Sequence, residues 1–246
     1  MKPIISPVGD CAISIDFGQV IDPKINRHIR QTIERLQALQ LDGIIELVPT
    51  YCALLLQYDA MLYSYAELCN IIEPTLKQTV TDNANELVTV VEIPTVYGGE
   101  FGPDLGFVAS HNNLTEDEVV AIHSGTDYLV YMLGFIPGFT YLGGMDSRIA
   151  TPRLSSPRTL IPAGSVGIAG EQTGTYPSDS PGGWQIIGRT PVTMYDMSKE
   201  QAALLSAGDY VRYVPIDEAE YNRIKALGAD YVPSMYEVEV GELRGY

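Results

Sequence analysis

Four arginines carry the clearest signal for binding chemistry in this sequence. Arg148, Arg153 and Arg158 lie in residues 147–170, a segment without Asp or Glu in a chain of formal net charge −16, and Arg189 follows downstream. The planar guanidinium group suits bidentate binding of a carboxylate or a phosphate. Three prolines in the segment would lower the ordering cost of binding. The pattern indicates either recognition of an acidic substrate or pairing of these arginines with carboxylates elsewhere in the chain.

Two histidines beside a helix are candidates for acid–base chemistry. His111 and His123 are twelve positions apart, which excludes the i, i+4 spacing of a helical metal site, and no metal site is predicted. His123 falls near the predicted C-terminus of the helix, where the helix dipole favours the protonated form. The sequence leaves two alternatives for His123: proton transfer in a pocket, or stabilisation of the helix end.

A polar loop punctuated by glycines spans residues 172–184 and contains Gln172 and Tyr176. It could line a pocket with amide, hydroxyl and aromatic groups, or simply connect two strands. No serine lies in a G-x-S-x-G elbow, so a Ser-His-Asp hydrolase is poorly supported. The glycine-rich residues 164–170 lack both the Rossmann spacing and the Lys-Ser/Thr of a phosphate loop, and they predict a strand and a turn.

Composition narrows the class of protein. The chain has 246 residues, 46% of them hydrophobic, and a sequence pI near 4.4. The excess of acidic residues argues against binding to nucleic acid or to an anionic membrane surface. No apolar run approaches the roughly 18 residues that cross a bilayer, and no secretory signal is visible. Three cysteines without zinc-site spacing are expected to be free thiols, and we expect a cytoplasmic protein.

The N-terminal part, residues 1–85, predicts a small α+β domain. Alternating apolar residues at 11–17 indicate a strand, and Asp22 followed by Pro23 indicates the start of a helix that continues to about residue 40. Two short strands around Pro49 and a helix from Tyr65 follow. This β-α-β-β-α order, closed by a strand at residues 87–93, is typical of a ferredoxin-like domain. Polar residues 81–86 are the predicted linker.

The C-terminal part, residues 86–246, predicts a mainly-β barrel with a C-terminal helix and an acidic tail. Between Pro94 and Pro191 lie 16 of the 23 glycines and 9 of the 16 prolines. Short apolar runs separated by such turn signals are typical of barrels and sandwiches. One helix has a predicted capping box formed by Thr115 and Glu118 and a stop at Gly125. The predicted strands include residues 129–135, 165–169, 184–187, 192–195 and 210–214.

Long ordered motifs occur in the C-terminal part of the chain. They are residues 97–105, 133–144, 151–153, 157–158, 161–170, 172–174, 176–177, 180–184 and 188–191. In these motifs the chain resembles the B subunit of the prokaryotic ATP-dependent 5-oxoprolinase, a family also called allophanate hydrolase subunit 1 and including the sporulation-kinase inhibitor KipI. The resemblance extends over nearly the whole chain.

The resemblance implies an N-terminal α+β domain followed by a cyclophilin-like β-barrel. It also implies hetero-oligomeric partners, the 5-oxoprolinase subunits C and A, which together with this subunit would cleave 5-oxo-L-proline to L-glutamate at the expense of ATP. Related domains occur in the carboxyltransferase part of urea carboxylase. ATP would be used by the complex, and the chain alone is expected to be inactive. The alternative function is inhibition of a sensor histidine kinase.

The motif blocks also contain or lie near side chains suited to the site chemistry. The candidate acid–base residues are His123 and His111, and the candidate substrate-binding residues are Arg153, Arg158, Gln172, Tyr176 and Arg189.

Overall fold

The computed structural model describes residues 3–77 and 86–245, which form two compact units with separate hydrophobic cores. Apart from Glu86, the predicted linker at residues 81–86 lies outside these ranges. Among the described residues, no helix has both the length and the apolar character needed to cross a membrane.

The N-terminal unit is a four-stranded antiparallel sheet with two helices. Its elements are β1 (Ile4–Val8), β2 (Ala12–Asp16), α1 (Pro23–Ala38), β3 (Ile44–Pro49), β4 (Ala53–Tyr58) and α2 (Tyr65–Leu76). The strands lie in the order β1-β2-β4-β3. As predicted, Asp22 caps α1, its carboxylate accepting the Lys24 amide N–H at 2.7 Å.

The edge strand of this sheet differs from the one predicted. Residues 87–93 do not close the N-terminal sheet, because Ile4–Val8 pairs with β2 and occupies that edge. The two strands form a local hairpin around Gly9, whose φ of +63° suits glycine. A hairpin closes with a much shorter loop than a return from residue 87 would need. Residues 87–93 belong instead to the long strand Leu87–Tyr97 of the second unit.

The C-terminal unit is a nearly closed barrel, as the mainly-β prediction requires. Its strands are β5 (Leu87–Tyr97), β6 (Asp127–Leu133), β7 (Thr140–Gly143), β8 (Arg158–Ile161), β9 (Ser165–Ala169), β10 (Gln172–Thr175), β11 (Ser180–Gly182), β12 (Gln185–Arg189), β13 (Tyr210–Pro215) and β14 (Met235–Glu239). The strand order of the main sheet is β10-β9-β12-β5-β13-β6-β7, β14 pairs with β5, and β8 with β11 forms a separate two-stranded sheet. The first and last strands of this order lie close together, since a Cβ added to Gly174 of β10 would lie 3.2 Å from the carbonyl oxygen of Thr140 of β7.

Three α-helices and three short 3₁₀ helices complete the described part of the unit. The α-helices are α3 (Leu105–His111), α4 (Glu116–Ser124) and α5 (Glu218–Leu227), and the 3₁₀ helices are Ser147–Ile149, Gly228–Asp230 and Val240–Glu242. The predicted capping box of α4 is confirmed, because the Thr115 hydroxyl accepts the Glu118 N–H and the Glu118 carboxylate accepts the Thr115 N–H. Gly125 caps the C-terminus of α4, as predicted.

One local prediction for the C-terminal unit is wrong. Residues 192–195 form no strand, only an isolated bridge between Tyr195 and Ala203. Pro191 lacks an N–H, and the Val192 N–H is taken by the Thr190 hydroxyl, so the segment has few donors for a ladder. The acidic tail, for which the sequence predicts no strand, contains Met235–Glu239, which pairs antiparallel with β5.

A buried ion pair ties the strands of the barrel together. Arg212 of β13 donates two hydrogen bonds of 2.6 Å to the carboxylate of Asp127 at the start of β6. The Asp127 side chain has no exposed surface, and its second oxygen also accepts the Arg244 N–H at 2.8 Å. Arg212 further contacts the Tyr236 hydroxyl of β14. The Asp127–Arg212 pair therefore links β6, β13, β14 and the C-terminal segment.

We expect Asp127→Asn to destabilise the C-terminal unit by about 3 kcal/mol, because it leaves the buried Arg212 charge without its carboxylate. The fluorescence of Trp184, the only tryptophan of the chain, reports unfolding of this unit in a urea titration. Glu220→Gln is the matched control, since it breaks an exposed pair with Arg223 and should leave the midpoint unchanged. Equal effects of the two substitutions would contradict the structural role of Asp127.

Candidate functional site

Arg158 is fixed by a carboxylate that precedes helix α3. Its guanidinium donates to both oxygens of Asp104, at 2.9 and 2.7 Å, and to the Trp184 carbonyl oxygen at 3.3 Å. Asp104 is anchored in turn to Ile186 of β12, whose N–H it accepts at 2.6 Å and whose carbonyl oxygen accepts the Asp104 N–H. Pairing with a carboxylate, one of the two sequence-based alternatives for the arginines, is therefore what Arg158 does.

Arg153 has a different environment. Its guanidinium carbon lies 5.9 Å from the centroid of the Trp184 ring, its side chain is exposed, and within the described residues it forms no ion pair. A cation over an indole face is held in place while its outer N–H groups remain open to an anion. Arg153 is thus the arginine of this region that can accept a carboxylate ligand.

The Tyr176 hydroxyl lies beside both arginines. Burial raises the pKa of Tyr176 to about 12, although the nearby charges of Arg153 and Arg158 and a hydrogen bond from the Trp184 backbone oppose the shift. The hydroxyl is therefore protonated at neutral pH. Its ring packs edge-on against Trp184 at 6.0 Å. We call Asp104, Arg153, Arg158, Tyr176 and Trp184 the arginine–tryptophan cluster.

Arg189 lies outside this cluster. Arg189 is the last residue of β12, whereas Trp184 immediately precedes the strand. The five-residue extended strand therefore separates the two residues by about 16 Å. Arg189 lies over the Phe101 ring and lines a separate surface cleft. The structure thus brings Arg153, Arg158 and Tyr176 together and leaves Arg189 apart.

Gln172 and His111 do not belong to the arginine–tryptophan cluster. Gln172 is half-buried at the start of β10, immediately after the hairpin turn. His111 is exposed at the end of α3, where its ring stacks on Phe107. The neighbouring Asn112 donates to the Thr151 hydroxyl at 3.0 Å, which connects this end of α3 to the segment that carries Arg153.

His123 is part of a buried hydrogen-bond chain. Its Nδ1 lies 2.7 Å from the Tyr97 hydroxyl and its Nε2 lies 2.8 Å from Thr173 Oγ1. Because Thr173 donates its own proton to the Gly167 carbonyl oxygen, Nε2 is assigned as the donor to Thr173, and Nδ1 as the acceptor from Tyr97. These hydrogen bonds join α4 to strands β5, β9 and β10.

The expectation of a protonated His123 is wrong. The ring has no exposed surface, and desolvation lowers its pKa to about 3, which outweighs the helix dipole. Both ring nitrogens are hydrogen-bonded to residues of strands β5 and β10, and the Tyr213 ring centroid lies 4.7 Å from that of His123. The side chain therefore has a structural role in linking barrel elements, and it does not stabilise the end of α4 as the second alternative supposed. The burial of the rings around it could not be read from spacing alone.

Several residues of these networks were not singled out from the sequence. Asp104 lies inside a motif block, but nothing local indicated that it would be the partner of Arg158, 54 positions away. Tyr97 and Thr173 likewise gave no signal of a shared histidine partner. For metals, the described residues contain no group of three or more His, Cys, Asp or Glu side chains placed to bind an ion.

The buried neutral histidine predicts a dependence of stability on pH. The unfolded chain binds a proton to His123 below its ordinary pKa of 6.5, whereas the folded chain does not until about pH 3. The contribution of neutral His123 to the free energy of unfolding is therefore fully present above pH 6.5 and is lost as the pH falls towards 3. Between pH 7 and pH 5 the free energy of unfolding should fall by about 2 kcal/mol.

Urea titrations followed by Trp184 fluorescence at pH 7, 6 and 5 measure this slope. His123→Gln removes the titrating group, so its stability should change little over the same range. A variant with the wild-type slope would show that another group is responsible.

The chain is similar to known proteins over most of its length. Residues 3–205 match the family model of the carboxyltransferase domain, subdomain C and D. The 5-oxoprolinase B subunit of Bacillus subtilis (strain 168) is 44% identical over 231 residues, covering 90% of this chain and 96% of that protein. The protein of the same name from Escherichia coli O157:H7 is 53% identical over 128 residues, covering 52% of this chain and 59% of that protein.

Solved structures are also similar to this chain. A conserved uncharacterized protein from Pyrococcus horikoshii is 47% identical with a TM-score of 0.53, covering 89% of this chain and 100% of that one. The Kluyveromyces lactis urea carboxylase shares the fold, with a TM-score of 0.78 at 20% identity, covering 96% of this chain and 24% of that one. The chain belongs to the carboxyltransferase-domain family, subdomains C and D, and within it to the family of 5-oxoprolinase B subunits.

Proposed function

We propose that this chain is the B subunit of an ATP-dependent 5-oxoprolinase. The complex converts 5-oxo-L-proline, ATP and water to L-glutamate, ADP and phosphate. The observation that carries the proposal is the 44% identity that extends over 96% of the Bacillus subtilis B subunit. The family match over residues 3–205 includes the arginine–tryptophan cluster and the hydrogen-bond chain of His123.

The chemistry of the reaction fits a subunit that works with others. Opening an unactivated lactam needs an activated carbonyl carbon, and cleavage of ATP supplies that activation. The glycine-rich residues 164–170 form the strand Ser165–Ala169 between two turns, the arrangement predicted for them in place of a phosphate loop. We therefore place ATP use in a complex with subunits C and A, and expect the isolated chain to be inactive. Three free thiols support a cytoplasmic location.

The arginine–tryptophan cluster is the proposed substrate site. Arg153 would bind the carboxylate of 5-oxo-L-proline, since its guanidinium is exposed and oriented by Trp184. Arg158 would act as a positioning residue through Asp104, and the protonated Tyr176 hydroxyl would keep the adjacent wall polar. We propose that Gln172 lies at the margin of this site, because a Cβ at Gly174, two residues along β10, would lie 3.4 Å from the Trp184 ring.

Of the two histidines, His111 is the better candidate for proton exchange with a substrate. It is exposed, and Asn112 connects the end of its helix to Thr151, two residues before Arg153. His123 is proposed to support the barrel that positions the site. Kinase inhibition is not proposed, because no observation favours it and none of the similar proteins named above is a kinase inhibitor by name.

The first test is ATP-dependent release of L-glutamate from 5-oxo-L-proline. We expect turnover when this chain is co-purified with subunits C and A, and none when any one of the three is omitted. The amount of ADP formed should match the amount of L-glutamate. A stable complex that cleaves ATP without releasing L-glutamate would overturn the proposed substrate.

The second test concerns Arg153. In the assembled complex, Arg153→Ala should lower kcat/KM for 5-oxo-L-proline about 10- to 100-fold, mainly through KM, because a charge-assisted hydrogen bond to the carboxylate is lost. Arg148→Ala is the matched control, since Arg148 lies on the same segment but is exposed and paired with Asp146. Steady-state kinetics of both variants measure the difference. Equal kinetics for Arg153→Ala and the wild type would remove Arg153 from the substrate site.

A further inference from the structure

A second polar site lies on the barrel at the opposite end of β12 from the arginine–tryptophan cluster. It is a cleft of about 490 Å³ between the loops that precede β9 and β11, the segment that follows β12, and helix α5. Three prolines form part of its wall: Pro162, Pro177 and Pro191. Of the described residues that line the cleft, Asp179, Arg189 and Lys225 carry charge. We call it the Arg189 cleft.

Aromatic rings hold both cations of the Arg189 cleft. The Arg189 guanidinium lies 5.9 Å from the Phe101 ring centroid, and Lys225 Nζ lies 5.6 Å from that of Tyr221. The two rings contact each other, with centroids 4.8 Å apart. Arg189 Nε is buried and has no hydrogen-bond partner among the described residues. In the described part of the chain neither cation forms an ion pair, so the aromatic rings orient both without neutralising them.

The acidic residue of the cleft is Asp179, and one of its two carboxylate oxygens is hydrogen-bonded to the backbone. Asp179 Oδ1 accepts the Ala163 N–H at 2.8 Å, which fixes the carboxylate at the rim, and the residue is exposed. The cleft thus presents two positive charges and one negative charge. A ligand with two carboxylates and one ammonium group has the complementary set of charges.

The floor of the cleft is rigid. Gly164 has a φ of +80°, and a Cβ at this position would lie 2.2 Å from the Thr190 carbonyl oxygen, so only glycine fits. The Gly164 N–H donates to the Tyr176 carbonyl oxygen, and the Gly164 carbonyl oxygen accepts the Thr190 N–H. A floor fixed in this way lowers the ordering cost of binding a small ligand.

We propose that the Arg189 cleft binds a small acidic α-amino acid. One carboxylate is received by Arg189, the other by Lys225, and the ammonium group by Asp179. The choice of L-glutamate as the probe rests on the proposed function, in which L-glutamate is the product. The site itself is assigned from the charges and geometry of the cleft.

Isothermal titration calorimetry on the full isolated chain tests the proposal without any turnover. L-Glutamate should bind saturably and more tightly than glutarate, which lacks the ammonium group, and than inorganic phosphate. Arg189→Gln and Lys225→Gln should each weaken L-glutamate binding about tenfold or more. Asp179→Asn should weaken L-glutamate but not glutarate. Arg223→Gln is the control on the same helix, because Arg223 is paired with Glu220 and does not line the cleft.

Three outcomes would overturn the inference: no saturable binding of L-glutamate, unchanged binding in both cation variants, or binding of phosphate and glutarate as tight as that of L-glutamate. Lys225 lies on an exposed stretch of α5, so its variant keeps the test valid if Arg189→Gln fails to fold. A chain that supports turnover without binding L-glutamate contradicts this inference alone. A chain that binds L-glutamate but supports no turnover contradicts the proposed function alone.

Discussion

The carboxylate of Asp104 is the group on which the candidate site depends. It accepts two hydrogen bonds from Arg158 and one from the Ile186 N–H, so it fixes a loop, the start of β8 and strand β12 to one another. The pair is largely shielded, with 33% of the Arg158 side chain and 11% of the Asp104 side chain exposed, and either charge alone would be costly there. Because Arg158 is committed to Asp104 and to the Trp184 carbonyl oxygen, Arg153 is the arginine left open to a ligand.

Strand β12 sets the distance between two polar regions with different chemistry. At one end, an arginine over an indole ring offers a single cation to a carboxylate. At the other, Arg189 and Lys225 share a cleft with Asp179. In a chain of net charge −16, such local cations are electrostatically favoured by their surroundings, and aromatic rings hold them without cancelling their charge. Cation–π contacts thus orient the cations of both regions.

Burial separates structural from accessible polar groups in the barrel. His123 is neutral because the core disfavours its charged form, and its two nitrogens are satisfied by Tyr97 and Thr173. Asp127 and Arg212 are accommodated in the core because each completes the hydrogen bonds of the other. These networks make the barrel a rigid support, whereas the groups open to a ligand lie at its surface.

The sequence by itself determined the features that depend on near neighbours. The cap at Asp22, the capping box of Thr115 and Glu118, and the strand at residues 165–169 follow from contacts within a few positions, and the motif blocks identified the family. Only the tertiary structure decided which distant groups meet. Arg158 finds Asp104 54 positions away, Arg212 finds Asp127 85 positions away, and the N-terminal hairpin takes the edge predicted for residues 87–93. Such pairings depend on strand order and burial, and no local pattern of residue types encodes either one.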